Sequence, residues 1–237
     1  SRAYGFESRL SYHTQDYNGT MKEETLALIE HYKRSKEKAD LGQSKLIREI
    51  LLIDGMTSSK TRHFYNNILE YTISDRNTQY LEIGSWKGSS LVSALYKNNH
   101  VDSICIDNWS EFGGPREEFM SNCSRFISPD QKLTVIESDC FSNKLDQKFD
   151  IYLYDGEHSY EAQVNAITYF ENNLADSCLI IIDDWNNEER VQKGTLDGLS
   201  KIDFEIKFSE EILSRHNGDL NGYWNGMAVF VLEKNNS

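Results

Sequence analysis

The chain has 237 residues, enough for one large α/β domain or two small ones, and is 38% hydrophobic with 12% aromatic residues. Lys and Arg number 25 against 38 Asp and Glu, a formal charge of −13, and such a surface repels phosphate backbones, which excludes nucleic acid as the expected partner. No apolar run approaches the roughly 20 residues that span a bilayer, so no membrane partner is expected either.

The first 20 residues, beginning SRAYGFESRLSYHT, are polar and show neither helical periodicity nor an apolar signal region. They are expected to form an arm. From Thr20 to Lys38, Leu26, Ile29 and Tyr32 fall at helical spacing on a heavily charged helix. Leu41 to Ile53 predicts a second helix with Leu46, Ile47, Ile50 and Leu51 on one face, ended by Asp54-Gly55 as a left-handed cap. Ser58 or Ser59 caps a third helix running to Tyr71, with Phe64, Tyr65, Ile68 and Leu69 as its buried stripe.

After residue 77 short apolar runs alternate with helical stretches. The runs begin at Tyr80, Ser103, Leu133, Ile151 and Leu179; between them lie Ser89–Lys97, Pro115–Ile127, Ser142–Leu145 and Tyr160–Asn173. That rhythm implies right-handed crossovers and a doubly wound, mostly parallel sheet covered on both faces. Phe204–Phe208 and Met227–Leu232 lack an intervening helix and predict an antiparallel C-terminal hairpin. The expected organisation is a helical N-terminal cap at 1–77 on one α/β domain at 78–237. The cap's charged first helix, with its narrow apolar stripe, needs a partner surface and suggests a homo-oligomer. The cysteines Cys105, Cys123, Cys140 and Cys178 show no paired spacing, which fits free thiols and a cytoplasmic protein.

Ligands of doubly wound sheets bind beyond the carboxyl ends of the strands, where the strand order reverses. Glu82-Ile83-Gly84-Ser85-Trp86-Lys87-Gly88-Ser89 follows the first strand, and Trp86 stands where a dinucleotide fingerprint needs its second glycine. A nicotinamide dehydrogenase is therefore disfavoured; the loop is either a tight turn or a cradle for a nucleoside or amino-acid group. Asp107-Asn108 ends the second strand and Asp139-Cys140 follows the third. Each acid could be solvated, but a carboxylate at Asp107 also suits ribose hydroxyls. Strand four runs into Asp155-Gly156-Glu157-His158, and strand five into Asp183-Asp184. Parallel neighbours lie about 4.8 Å apart, so these three acids can converge, and they repel unless one is protonated or a cation lies between them. Helix capping explains one of them, not three. An all-oxygen set suits Mg²⁺ or another hard divalent ion. His158 is either a general base or a loop-orienting group.

Taken in order, LEIGSWKGSS, ICIDNW and ESDCF resemble the motifs of a class I S-adenosylmethionine-dependent methyltransferase. FDIYLYDGEHSYEAQ followed by CLIIIDDWN is similar to a narrower branch, the macrocin O-methyltransferase type. The resemblance implies a seven-stranded Rossmann-like sheet and an O-methyltransferase acting on a small-molecule hydroxyl of a sugar, polyketide or other metabolite. It implies Mg²⁺ held by Asp155, Asp183 and Asp184. It places Glu82, Gly84 and Ser85 around the methionine end of S-adenosylmethionine, Asp107 at the ribose, and Asp139 and Cys140 by the adenine. Gly88, Ser89, Asn108 and Asp155 complete that donor site, with His158 and Asp155 as catalytic groups. A metal-independent N- or C-methyltransferase and a non-catalytic donor-binding protein of the same fold are the alternatives. The 1–77 segment and the Ser209–Asn225 loop match no substrate-diagnostic pattern.

Overall fold

The computed structural model describes residues 21–235, so the expected arm at 1–20 lies outside the described residues. Seven strands form one sheet in the order β3-β2-β1-β4-β5-β7-β6. They are β1 (Thr78–Ile83), β2 (Val101–Asp107), β3 (Leu133–Glu137), β4 (Phe149–Tyr154), β5 (Leu174–Asp183), β6 (Phe204–Ile212) and β7 (Met227–Lys234). The first five pair in parallel, while β7 runs antiparallel to both β5 and β6. The expected doubly wound sheet with its C-terminal hairpin is the observed one.

Strand alternation sorts the core into two layers. Tyr80, Cys105, Ile151, Leu153, Leu179, Ile181, Val229 and Val231 face one side. Against them pack α1 (Glu23–Asp40), α3 (Ser59–Ile68), α4 (Ser89–Leu95) and α5 (Arg116–Phe126). Leu81, Ile83, Ile104, Ile106, Tyr152, Tyr154, Ile180 and Ile182 face the other, under α6 (Tyr160–Thr168) and α7 (Lys193–Leu199). The helical stretch from 188 through α7 was not anticipated; it fills the face left open between β5 and β6.

The N-terminal helices thus share one hydrophobic core with the sheet. Tyr32 of α1 lies 5.9 Å from Phe64 of α3 and 5.2 Å from Phe208 of β6, ring to ring. Its hydroxyl donates to Glu210 (2.8 Å), and Thr25 Oγ1 donates to Glu233 on β7 (2.6 Å). The buried stripe of α1 is Leu28, Ile29, Tyr32 and Ala39, whereas Leu26 faces solvent.

Two expectations about this segment are corrected. Of the helix expected over 41–53, only α2 (Arg48–Leu51) forms. Gly42 (φ +67°) ends α1 instead, with Gly42 N donating to Ala39 O and Gln43 N to Lys38 O, a Schellman cap. Asn66 and Asn67 of α3 then hold the following backbone, at Lys45 N and Gln43 O, in a non-helical path. Gly55 is not left-handed; a Cβ on it would lie 2.0 Å from Ser89 Oγ, so its glycine serves a close approach to α4. The expected cap of the third helix holds, Ser58 Oγ accepting from Thr61 N at 3.0 Å, and Phe64, Tyr65, Ile68 and Leu69 are buried. The stretch 142–145 makes no helix beyond a single 3-10 turn at Cys140–Ser142.

Candidate active site

The strand order reverses between β1 and β4, so the crevice opens where Ile83 and Tyr154 end side by side. Asp155 N continues the ladder to Ile83 O (2.9 Å). Gly84 has φ +82°, and a Cβ there would sit 2.0 Å from the Asp155 carbonyl oxygen. The approach of the β4 end alone demands a glycine here.

Asp107 organises the loop that follows. Its Oδ2 accepts from Ser85 N (2.9 Å) and Trp86 N (2.8 Å), and its Oδ1 from Trp109 N (2.7 Å). Trp109 Nε1 donates to Trp86 O, and Trp86 Nε1 to Phe112 O, stitching the β1–α4 and β2–α5 loops together. A carboxylate offers about four lone-pair directions, so Asp107 keeps capacity for one further hydroxyl at Oδ1. Gly88 (φ +81°) closes the loop into α4, its N donating to Ser85 O at 2.6 Å.

Glu82 is fully buried beneath this loop. Its Oε1 accepts from Ser85 Oγ and Ser90 Oγ, both at 2.8 Å, and its Oε2 from Tyr80 Oη at 2.6 Å. Burial pushes its carboxyl up to about 7 despite those donors. Within the chain Glu82 thus positions Ser85, and its Oε2, with one donor, keeps capacity for one more. At the far end Asp139 is exposed and caps the next turn through Phe141 N (2.7 Å), while Cys140 is half-buried beside it. Asn108 is exposed and turns its own loop by accepting from Ser110 N (3.0 Å).

The acid cluster is built differently. Asp155 follows β4, Asp183 ends β5, and Asp184 adopts φ +58°, a left-handed conformation that Asp tolerates better than most residues. His158 Nε2 stands 2.8 Å from Asp184 Oδ2 and 3.7 Å from Asp155 Oδ1, an ion-pair arrangement without hydrogen-bond alignment to Asp184. One ligating atom from each of Asp155, His158 and Asp184 lies within 4.8 Å of the others. Asp183 lies beside Asp155, and its Oδ1 is buried with no partner. Burial pushes Asp183 well above the usual carboxylate range, helped by the charges of Asp155 and Asp184. Burial likewise raises Asp155 to about 6. For His158, burial works downward, but the two carboxylates prevail and lift it to about 10. Asp184 stays below the ordinary range because His158 and Asn225 outweigh burial. Asn225 Nδ2 donates to Asp184 Oδ1 in a short bond.

Residues 81–185, from the first strand to the residue after the Asp pair, match the family model described as a methyltransferase domain. No curated protein matches the sequence. Similar solved structures include a putative O-methyltransferase from Klebsiella pneumoniae, 12% identical, TM-score 0.52, covering 90% of this chain and 91% of that one. An O-methyltransferase from Bacillus cereus, solved in complex with SAH, is 12% identical over 87% and 91%, with a TM-score of 0.53. Magnesium protoporphyrin IX methyltransferase from Synechocystis PCC 6803, with bound SAM, is 9% identical over 92% and 100%, with a TM-score of 0.53. The central part of the chain is thus similar to a methyltransferase domain, and its fold is the one these methyltransferase structures share.

Within this fold the sequence-predicted residues at the crevice form two groups. Glu82, Gly84, Ser85, Gly88, Ser89 and Asp107 cluster around one loop, and Asp155, His158, Asp183 and Asp184 meet at the adjacent strand ends. Sequence reasoning missed three residues. Tyr65 of α3 is buried within electrostatic reach of Asp183, Asp155, Glu82 and Asp184. Asn225 fixes Asp184 from the β6–β7 connection, where no local signal marks it. Arg62 lies three residues before Tyr65 and seven before Leu69, so a charge on the buried stripe was the available sign.

Proposed function

We propose that this chain is an S-adenosylmethionine-dependent methyltransferase that moves the donor's methyl group to a hydroxyl oxygen of a small metabolite, with Mg²⁺ or another hard divalent ion held by Asp155, Asp183 and Asp184. The observation that carries this reading is the meeting of Asp155, His158 and Asp184 within 4.8 Å beside the donor loop, with Asp183 next to Asp155 and its Oδ1 buried and unpartnered. A buried acceptor oxygen with no donor is costly, and three oxygen donors on adjacent strand ends suit a hard cation. The residues fit the ion. When bound, it supplies Lewis acidity that lowers an acceptor hydroxyl's pKa and fixes its direction. The names of the Klebsiella and Bacillus structures, with their shared fold, add support for oxygen as the acceptor.

The chain's own residues do the rest. The 84–88 loop, tied by Asp107, holds the donor at the end of β1. Paired with Asp184 and Asp155, His158 is an imidazolium; were those carboxylates taken up by the ion, the imidazole would give up that proton and Nε2 could accept the hydroxyl's. The acceptor oxygen then attacks the sulfonium methyl in line, and the sulfur keeps the bonding pair as the thioether product. Orientation contributes much of the rate in such a transfer.

The test is methyl transfer from labelled donor to a panel of sugars, phenols and hydroxylated metabolites, with and without chelator. Turnover on a hydroxyl, abolished by chelator and restored by Mg²⁺ or Mn²⁺, is expected. Full activity in excess chelator overturns the metal assignment and leaves His158 as the only cation at the cluster. Donor binding without turnover on any acceptor favours a non-catalytic role.

A further inference from the structure

Arg62 is the only Arg or Lys buried among the described residues, at 4% exposure. Its Nη1 donates to two backbone carbonyls, Ile50 O (3.2 Å) and Leu51 O (3.1 Å), and its Nε has no partner. No carboxylate of the described residues comes within ion-pair distance. Asp54, the carboxylate whose charge acts on it, is 73% exposed and pairs with Lys87 at 2.8 Å. A buried guanidinium answered only by carbonyl dipoles is an expensive arrangement. Burial pulls it down to about 10, with only the charge of Asp54 holding it up.

Its free end points toward the donor loop. A Cβ built on Gly55 would lie 3.0 Å from Arg62 Nη2 and 2.0 Å from Ser89 Oγ. Arg62, Gly55 and Ser89 therefore meet at one place, where the loop of residues 84–88 enters α4. Thr57, in the same short segment as Gly55, also keeps a buried hydroxyl without a partner. The donor's methionine end carries both an α-ammonium and an α-carboxylate. Glu82, Asp107, Asp155, Asp183 and Asp184 suit the ammonium and the sulfonium but repel the carboxylate. An anion entering this acidic crevice needs one buried cation, and Lys87 is already shared between Asp54 and Glu118.

We propose that Arg62, carried by the N-terminal helix α3, is the receptor for the α-carboxylate of S-adenosylmethionine. The inference rests on the assignment of the donor site to the 84–88 loop. It gives the N-terminal segment a direct part in holding the donor, beyond its packing against the sheet. A guanidinium binds a carboxylate through two parallel N–H donors, and Nη2 with Nε is the pair left free here.

A purely structural Arg62, tying the end of α2, makes a different prediction, so the test compares two ligands. Calorimetry on the full chain would measure S-adenosylhomocysteine and its decarboxylated analogue, which differ only in the carboxylate. The wild type should prefer S-adenosylhomocysteine by about 10- to 100-fold, the range of a buried charge-assisted contact. Arg62→Met should lose that preference, its affinity for the decarboxylated analogue staying within about twofold of wild type. Arg62→Lys, which keeps the charge without the fork, should retain part of it. Equal losses for both ligands in a folded Arg62→Met protein would overturn the proposal and leave a structural role. Should that variant not fold, the wild type and Arg62→Lys decide. A wild type that binds the two ligands equally, or an Arg62→Lys protein with the full preference, also overturns it. A wild type that binds neither ligand would overturn the donor-site assignment itself, a result distinct from the others.

Discussion

The two halves of the crevice lie side by side but are finished to different degrees. Around the donor loop nearly every polar group has found a partner within the chain: Asp107 with three backbone N–H groups, Glu82 with three hydroxyls. At the acid cluster two carboxylates share one imidazole with a third beside them, burial displaces two of the three upward in pKa, and one buried oxygen has nothing to accept from. The first half is preorganised by its own backbone. The second carries like charges that a bound cation would relieve. Substitutions should therefore act in opposite directions on stability in the two halves.

The largest effect is expected at the seam between them. Gly84→Val would drive a side chain into the Asp155 carbonyl while forcing φ +82° on a β-branched residue. It should cost about 4 kcal/mol or more, read as loss of a cooperative thermal transition; a normally folded variant would break the account of the seam. Deleting residues 1–40 belongs to the same class. It strips Leu28, Ile29, Tyr32 and Ala39 from the core shared with Val229 and Val231, and the truncated chain should not keep a native sheet by circular dichroism and urea melting.

Glu82 supplies a pH test. Its folded carboxyl, near 7, lies above the ordinary 4.5, so between those values the folded chain binds a proton that the unfolded chain has released. Stability is full below about 4.5, falls as pH rises through about 7, and the loss from this group is about 3 kcal/mol. Urea denaturation of wild type and Glu82→Gln at pH 5 and 8 should show the slope flattened by that amount in the variant. Parallel pH profiles would remove Glu82 as its source.

Asp107→Asn leaves a backbone N–H facing an amide N–H at the heart of the donor loop. It should cost about 2 kcal/mol and weaken S-adenosylhomocysteine binding, measured by melting and calorimetry. The smallest effect has the opposite sign. Asp183→Asn removes a buried acid from among like charges and should raise stability by about 1 kcal/mol, or roughly 2–4 °C, while abolishing most turnover. A destabilised Asp183→Asn would erase the contrast between the two halves.

Much of the fold was legible because strand–helix alternation after residue 77 is a long-range pattern with few solutions. The strand-end acids were legible for the same reason, since topology alone places Asp107, Asp155 and Asp183 at one sheet edge. What sequence could not show was who partners whom. Glu82 and Asp107 read as ligand contacts, but each also accepts three hydrogen bonds from hydroxyls or N–H groups within the chain, several of them in loops whose course depends on tertiary packing. His158 lies three residues from Asp155, but its approach to Asp184 depends on the left-handed turn there and on Asn225, 41 residues on. The helix expected over 41–53 failed because side chains of α3 hold that backbone in another path, a tertiary override of local periodicity.

The most direct measurement is the thermal midpoint of the full chain, without donor, titrated with Mg²⁺ at pH 7.5, for wild type and Asp183→Asn. A cation that binds the folded acid cluster raises the midpoint by mass action and relieves the repulsion among Asp155, Asp183 and Asp184. The expected result is a saturable rise in the wild type of a few degrees at about a hundredfold excess over Kd. In Asp183→Asn, which starts from the higher midpoint, the rise should be largely absent. A wild-type midpoint indifferent to Mg²⁺ and Mn²⁺, or an equal rise in both proteins, would contradict a cation site at these three acids.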